Sequence, residues 1–246
     1  MRRAGRSPDR RRVSWFRVTS AIVMAALSVA ILYQLWYLCL VFWYAHQNPS
    51  MTSVMRQELT RLQAQDPDAR LRHEWVPYDR ISNSLKRAVV AAEDANFTGH
   101  GGVEWEAIRK AWEYNQRQAE RDSARRRGGS TITQQLAKNL FLSSERSYLR
   151  KGQELVLAYM IEHVMDKQRI LELYLNVAEW GIGVFGAEAA ARHYYGVGAG
   201  QLGNAQAARL AAMLPNPRYY DRNRNTSYLN ARTGTLQRRM SMVDIP

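Results

Sequence analysis

A mainly α-helical domain behind one membrane-spanning helix is the fold the sequence predicts, on three observations. An uncharged run stretches from Val18 to Ala45. Beyond it, apolar residues return at helical spacing in one segment after another. No stretch alternates with the period of two that marks a half-buried strand, and no internal repeat is visible. At 246 residues, 46% of them hydrophobic, the chain can supply an anchor and one domain with a sizeable core, but not two large catalytic domains.

Residues 1–17 form a basic tail with seven arginines (Arg2, Arg3, Arg6, Arg10, Arg11, Arg12, Arg17) against one aspartate. The 18–45 segment follows, and as a helix it would be roughly 42 Å long, enough to cross a hydrocarbon core of about 30 Å. Trp36, Tyr37, Trp43 and Tyr44 crowd its far end as an interfacial aromatic belt would. A cleaved signal peptide would have a shorter apolar region and a small-residue cleavage site, and none follows Tyr44. The positive-inside rule keeps the tail cytoplasmic and sends the rest of the chain outward.

Residues 46–72 are expected to be a connector. They carry one weak amphipathic pattern (Met51, Val54, Met55, Leu59, Leu62) that Asp66-Pro67-Asp68 interrupts. The domain then runs from 73 to 246. Ser82 is a natural cap for a helix striped with Leu85, Ala88, Val89 and Ala92 that leads into Glu93-Asp94. Residues 115–129 are basic, polar and Gly-ended, and predict a mobile surface loop. Helices are predicted at about 131–140, 147–165 and 167–176, then a turn punctuated by Gly181, Gly183 and Gly186. Two more helices, near 187–195 and 204–214, precede the turn Pro215-Asn216-Pro217.

The net charge is +13 and the tail supplies +6, so about +7 remains outside it. Such a charge suits anionic partners, and an outward location beside a membrane argues against nucleic acid as one of them. The single cysteine, Cys39, lies in the apolar run and excludes an internal disulfide. His73-Glu74 opens like a zinc-protease motif, but Pro77 stands where its second histidine would be. His46, His73, His163 and His193 are scattered, as structural or exposed histidines are.

Three constellations could carry chemistry. Glu154 sits in a helix apolar on most of its circumference (Leu155, Val156, Leu157, Tyr159, Met160, Ile161, Val164, Met165), which should be buried. A carboxylate there needs a partner, and either a structural bridge to Arg150 or an active-site role accounts for it. Glu93-Asp94 closes a helix at the end where its dipole disfavours negative charge. That pair is either a surface turn or a general base opening onto a cleft. Gly128 to Gln135 is a turn into a helix N-terminus, where Thr131 and Gln134 could form a capping box or exposed N–H groups could hold a phosphate. It is no P-loop, because Gly-Lys-Ser/Thr does not follow. Lys138, Arg146, Arg150 and Lys151 are either solvated charge or, taken together, a diphosphate site.

Between about Trp75 and Pro217 the chain resembles the monofunctional biosynthetic peptidoglycan transglycosylases, the family 51 glycosyltransferases. Glu93-Asp94-Ala95-Asn96-Phe97-Thr98-Gly99-His100-Gly101-Gly102 is similar to the family's Glu-Asp-x-x-Phe-x-x-His-x-Gly motif. Residues 128–139, GGSTITQQLAKN, resemble the second motif throughout. Arg150-Lys151-Gly152-Gln153-Glu154 resembles the third, Arg-Lys-x-x-Glu, and KQRILELYLN at 167–176 the fourth. Order and separation agree as well. The basic stretch before Gly128 is longer than the family pattern.

The resemblance implies a lysozyme-like glycosyltransferase domain with a small membrane-facing jaw, polymerising lipid II into β-1,4-linked strands by inversion and releasing undecaprenyl diphosphate. By the same resemblance Glu93 is the general base on the acceptor 4-hydroxyl and Glu154 a second essential glutamate that organises the donor site. Lys138, Arg146 and Arg150 match diphosphate-binding positions, which a divalent cation, Mg or Mn, could assist; no organic cofactor is implied. Asp94, Phe97, His100, Ser130, Thr131, Gln134, Gln135, Asn139 and Lys151 complete the expected substrate-binding set. The implied setting is the inner membrane of a Gram-negative cell, with the N-terminus cytoplasmic and the domain periplasmic. The partners implied are lipid II, the growing lipid-linked strand, and cell-wall synthesis or division proteins. No Ser-x-x-Lys, Ser-x-Asn or Lys-Thr-Gly set accompanies the motifs, and Arg232-Thr233-Gly234 is an isolated near-match, so no transpeptidase activity is expected. Two competitors stand beside this: a lysozyme-like glycan-cleaving enzyme, which needs no diphosphate cluster, and a catalytically silent cell-wall scaffold.

Overall fold

The computed structural model describes residues 15–120, 128–143, 145 and 147–246. The chain divides into two compact units, one ending at Leu40 and one spanning Val41–Pro246. The first consists of most of α1 (Trp15–His46), whose side chains are almost all exposed and which is long and apolar enough to cross a membrane. The helix starts at Trp15, so the last three residues of the expected tail belong to it, while residues 1–14 lie outside those described.

The second unit takes in the last turn of α1. Val41 is fully buried, and the Tyr44 ring lies 5.8 Å from that of Phe141. A helix end leaves carbonyls without partners. Arg169 supplies them here, donating from Nη2 to the Tyr44 and Gln47 carbonyls at 2.9 and 3.0 Å and from Nε to Tyr44 at 3.1 Å.

Residues 46–72, expected as a connector, carry structure of their own. They contain α2 (Ser53–Gln63), capped by Thr52, whose Met55 and Glu58 are buried in the domain. Glu58 could not be buried alone. Arg61 binds it at 2.6 and 2.7 Å, and Arg218 at 2.8 Å, while Arg218 also grips Glu179 at 2.6 and 3.1 Å. The strand β1 (Arg72–His73) runs parallel to β3 (Val184–Phe185), which pairs antiparallel with β2 (Glu179–Gly181). These strands are two or three residues long, too short to show a period.

Helix α3 (Asn83–Glu93) is capped by Ser82, as its sequence predicts. The predicted loop over 115–129 begins later than expected, because α4 (Trp105–Glu120) continues through its first six residues; 121–127 lie outside the described residues. Then come α5 (Ile132–Phe141), α6 (Tyr148–Val164) and α7 (Lys167–Val177). Helices α8 (Ala187–Tyr195) and α9 (Asn204–Met213) match their predicted spans closely. The sequence did not announce α10 (Pro217–Arg222) or α11 (Ser227–Arg239), and Arg232-Thr233-Gly234 lies within the latter.

The core centres on α7, where Ile170, Leu171, Leu173, Leu175 and Val177 are fully buried. Each such side chain contributes roughly 1.5–3 kcal/mol on leaving water. Helix α5 packs on α6 and α7, while α9 packs on α3 and α11. Gly129 lets the lead-in to α5 touch α4: a Cβ there would lie 3.0 Å from the Ile108 Cα and 3.1 Å from the Ala107 carbonyl. Helix α6 departs from expectation. Its inward stripe is Glu154, Leu157, Ala158 and Ile161, but Leu149, Val156 and Tyr159 are exposed, so it is not buried around most of its circumference.

Candidate active site

The site is built where α3 ends and α5 begins. Glu93 is the last residue of α3 and Asp94 its cap. Asp94 is buried, and its charge, unfavourable at the C-terminus of α3, is spent on the N-terminus of α5, where the Ile132 N–H donates to Oδ2 at 3.0 Å. His100 Nε2 lies 2.9 and 3.0 Å from the two Asp94 oxygens, and His100 Nδ1 accepts from the Gly102 N–H at 3.1 Å. The ring therefore carries its proton on Nε2 and donates it to Asp94.

The start of α5 is closed to a phosphate. Thr131 and Gln134 form a capping box, and Thr131 Oγ1 donates to the Gly102 carbonyl at 2.5 Å. With Thr131, Ile132 and Gln134 N–H groups already bonded inside buried surroundings, the expectation of exposed amides there is overturned. Asp94, Phe97, Thr131 and Gln134, all in the expected substrate-binding set, are buried. Phe97 lies under the Lys167 ammonium, 4.6 Å from its ring centre. Asn139 is buried as well.

From Ile132 to Leu140 every residue is buried except Gln135 and Lys138, which stand three apart and so share one face. Gln135 donates from Nε2 to Glu93 Oε2 at 2.8 Å, and its Oε1 accepts from the Tyr174 hydroxyl at 3.0 Å. Burial raises the Glu93 carboxyl above the usual carboxylate range. The Gln135 hydrogen bond and then the Arg232 charge oppose this; Asp94 reinforces it, and Lys138 also opposes it. Glu93 and Lys138 are thus electrostatic neighbours.

A second cluster acts on Lys138. Arg150 donates to Glu154 Oε2 at 2.7 Å and to the Glu145 carbonyl at 2.6 Å. Lys151 binds Glu154 Oε1 and donates to Ser130 Oγ at 3.0 Å. Glu154 is buried, so the bridge to Arg150 expected from spacing exists, with Lys151 as a second partner. Burial lowers the Lys138 ammonium below its ordinary value; the Glu154 and Glu179 charges oppose this, while Arg150 and Lys151 add to it. Arg146 lies outside the described residues.

The carboxylates that could hold a divalent cation here are already paired with cationic side chains. Glu154 has one oxygen on Arg150 and the other on Lys151, and Glu179 is held by Arg218. Asp94, His100 and Glu104 place ligand atoms within 4.8 Å of one another, but the Asp94 oxygens already serve His100 and Ile132. Lys138, Arg150 and Lys151 can offset a diphosphate's charge without a metal. Sequence reasoning missed Tyr174, which lies inside the fourth motif, and Arg232 and Glu179, which lie outside the motifs and reach the site only through the fold.

The match to a family model, Transglycosylase, covers residues 57–241. A biosynthetic peptidoglycan transglycosylase of Bordetella pertussis is 74% identical over 239 residues, 97% of this chain and 99% of that protein. Proteins of the same description from Herminiimonas arsenicoxydans and Chromobacterium violaceum are 56% and 50% identical, over 92% and 94% of this chain and 96% and 99% of their own lengths. With a family match across most of its length and relatives this similar end to end, the chain belongs to the transglycosylase family and is a peptidoglycan glycosyltransferase.

Proposed function

We propose that the protein polymerises lipid II into β-1,4-linked glycan with inversion, and that Glu93 is its general base. One observation carries this: a carboxyl whose proton affinity is raised by burial, fixed by Gln135, beside a lysine that has no protein acceptor among the described residues. A base works best when its pKa approaches the working pH. Glu93 takes the proton of the acceptor's N-acetylglucosamine 4-hydroxyl as that oxygen bonds to the donor's anomeric carbon. The carbon–oxygen bond to undecaprenyl diphosphate breaks, and the leaving group departs with the electron pair. Lys138, Arg150 and Lys151 receive its charge, Glu154 holds the last two in place, and no step is assigned to a metal.

The lipid tail of donor and acceptor stays in the bilayer, which suits a single-pass inner-membrane anchor with the domain outside. The exposed Trp105 and Trp112 of α4 and the exposed face of α6 would form the membrane-facing jaw. No Ser-x-x-Lys set is present, so polymerisation without cross-linking is proposed. The test is incubation of labelled lipid II with wild type, Glu93→Gln and Glu154→Gln side by side. Polymer from wild type and none from Glu93→Gln is expected. Fragments released from sacculi, with no polymer, would instead identify a glycan-cleaving enzyme.

A further inference from the structure

Away from the cleft, His193 of α8 is held on both ring nitrogens by residues of two other elements. Arg72 Nη1, on β1, lies 2.6 Å from His193 Nδ1, and Asp221 Oδ1, on α10, lies 2.9 Å from His193 Nε2. A guanidinium donates hydrogen bonds and never accepts them. Nδ1 must therefore be the acceptor for Arg72, so the ring is neutral and gives its one proton, on Nε2, to Asp221. The imidazole bridges the first strand of the domain to α10.

The two ends of this bridge are held unequally. Asp221 Oδ1 also accepts from Arg224 Nη2 at 3.0 Å, and Oδ2 accepts from the Ile182 N–H at 3.0 Å. Gly181 closes over the carboxylate: a Cβ there would lie 2.9 Å from Oδ2 and 2.7 Å from the Tyr194 hydroxyl. Arg224 stands 3.3 Å from His193 Nε2, with its guanidinium over the Tyr194 ring and its carbonyl bound by Arg209 of α9. Arg192, next to His193, is taken up by Glu188 at 2.8 Å and Glu74 at 3.4 Å. The charged groups facing the imidazole are thus Arg72, Arg224 and Asp221. Arg72 is the loose end: its side chain has no other partner among the described residues, and β1 is two residues long, with the Arg72 amide bonded to the Gly183 carbonyl at 2.8 Å.

We infer that His193 is a proton-operated latch, which holds β1 on α8 while neutral and releases Arg72 when the ring gains a second proton. An imidazolium has two donors and no acceptor. Its Nδ1–H would point at the Arg72 N–H across 2.6 Å, two donors and two positive charges together, so that contact opens. Asp221 keeps its hold on Nε2, because its own oxygens are fixed and the attraction between the pair grows. Imidazole is the side chain that ordinarily charges between about pH 5 and 8. His73, on the same strand, donates from Nε2 to the Asn176 carbonyl at 3.1 Å, a bond that both protonation states keep. Since β1 follows α2 in the chain, acid loosens the seat of the connector on the domain.

The test is amide hydrogen exchange of the full chain in detergent micelles at about pH 7.5 and about pH 5, each rate referred to the intrinsic exchange rate at that pH. Protection of the Arg72 amide should fall about tenfold or more in acid, as expected for the loss of one hydrogen bond to a charged group. His193→Asn, which offers an acceptor but does not titrate, and Arg72→Met, which lacks the donor, should show no such fall. A fall that persists in either folded variant overturns the latch, as does unchanged protection in wild type. Nitrogen-15 NMR of the histidine rings gives a second reading. At about pH 7.5 His193 Nδ1 should carry no proton, and a proton found there overturns the proposal. If His193→Asn does not fold, Arg72→Met decides by the same criterion.

Discussion

Asp94 accepts a hydrogen bond from the Ile132 amide at 3.0 Å, so one buried carboxylate closes α3 and opens α5. Glu93 and Gln135 sit one and three residues away from these two atoms along their helices. Their 2.8 Å contact is therefore set by a joint that does not touch the cleft itself. An asparagine at 94 could accept from His100 or Ile132 but would turn an N–H2 group toward one of them. Asp94→Asn should cost about 1.5–3 kcal/mol of stability, the value of a hydrogen bond to a charged group. Denaturant unfolding measures this, and polymerisation should fall together with it.

Glu93→Gln should remove a general base and slow polymerisation by about 10²–10⁴. Its stability should move the opposite way. Burial raises the folded Glu93 pKa above that of an ordinary, solvated glutamate, so between those two pKa values the native state binds more protons than the unfolded state. Stability conferred by protonated Glu93 is present below the unfolded pKa and is lost as pH rises through the folded one. At neutral pH the ionised carboxylate is a cost, and its neutral isostere removes it. Thermal melts should show Glu93→Gln above wild type at neutral pH, by roughly 2–4 °C for each 1 kcal/mol relieved, with the gap closing in acid. A variant that melts lower at neutral pH would contradict the assignment.

Tyr174→Phe deletes the donor that holds Gln135 Oε1. About 0.5–1.5 kcal/mol of stability should be lost with that hydrogen bond. The more informative change is in the pH–rate profile. The Gln135 bond lowers the Glu93 pKa, so loosening it raises that pKa further and moves the acidic limb of activity to higher pH. Rates measured across pH check this; an unmoved limb would mean that Gln135 does not need its tyrosine.

Glu154→Ala leaves Arg150 and Lys151 facing each other without their shared carboxylate. Breaking a buried pair costs about 3–5 kcal/mol, but Lys151 is 39% exposed in its side chain, so solvent screening reduces this to roughly 1–3 kcal/mol. Polymerisation should be lost as well. Adding Lys151→Met should restore part of the stability without restoring activity. Chemical denaturation of the single and double variants reads out the first effect, and lipid II turnover the second.

The helices that carry these residues were legible because their caps are local. Ser82 and Thr131 announce themselves within a few residues. The capping box at Thr131 and the Glu154–Arg150 bridge were likewise readable from spacing of three and four. The Asp94–Ile132 bond spans 38 positions and the Gln135–Tyr174 bond 39, and no periodicity encodes either. Residues 46–72 looked like a linker because their amphipathic pattern is weak and Asp66-Pro67-Asp68 breaks it, and the burial of Glu58 rests partly on Arg218, far along the chain. Arg232 belongs to the same class.

The grip of Arg169 on the Tyr44 and Gln47 carbonyls has a mechanical side. Helix α7 carries Arg169 at one point and Tyr174 five residues, about 7.5 Å, further along the same rod. The position of residue 44 is thereby fixed to the same rod on which the hydroxyl behind Gln135 rides.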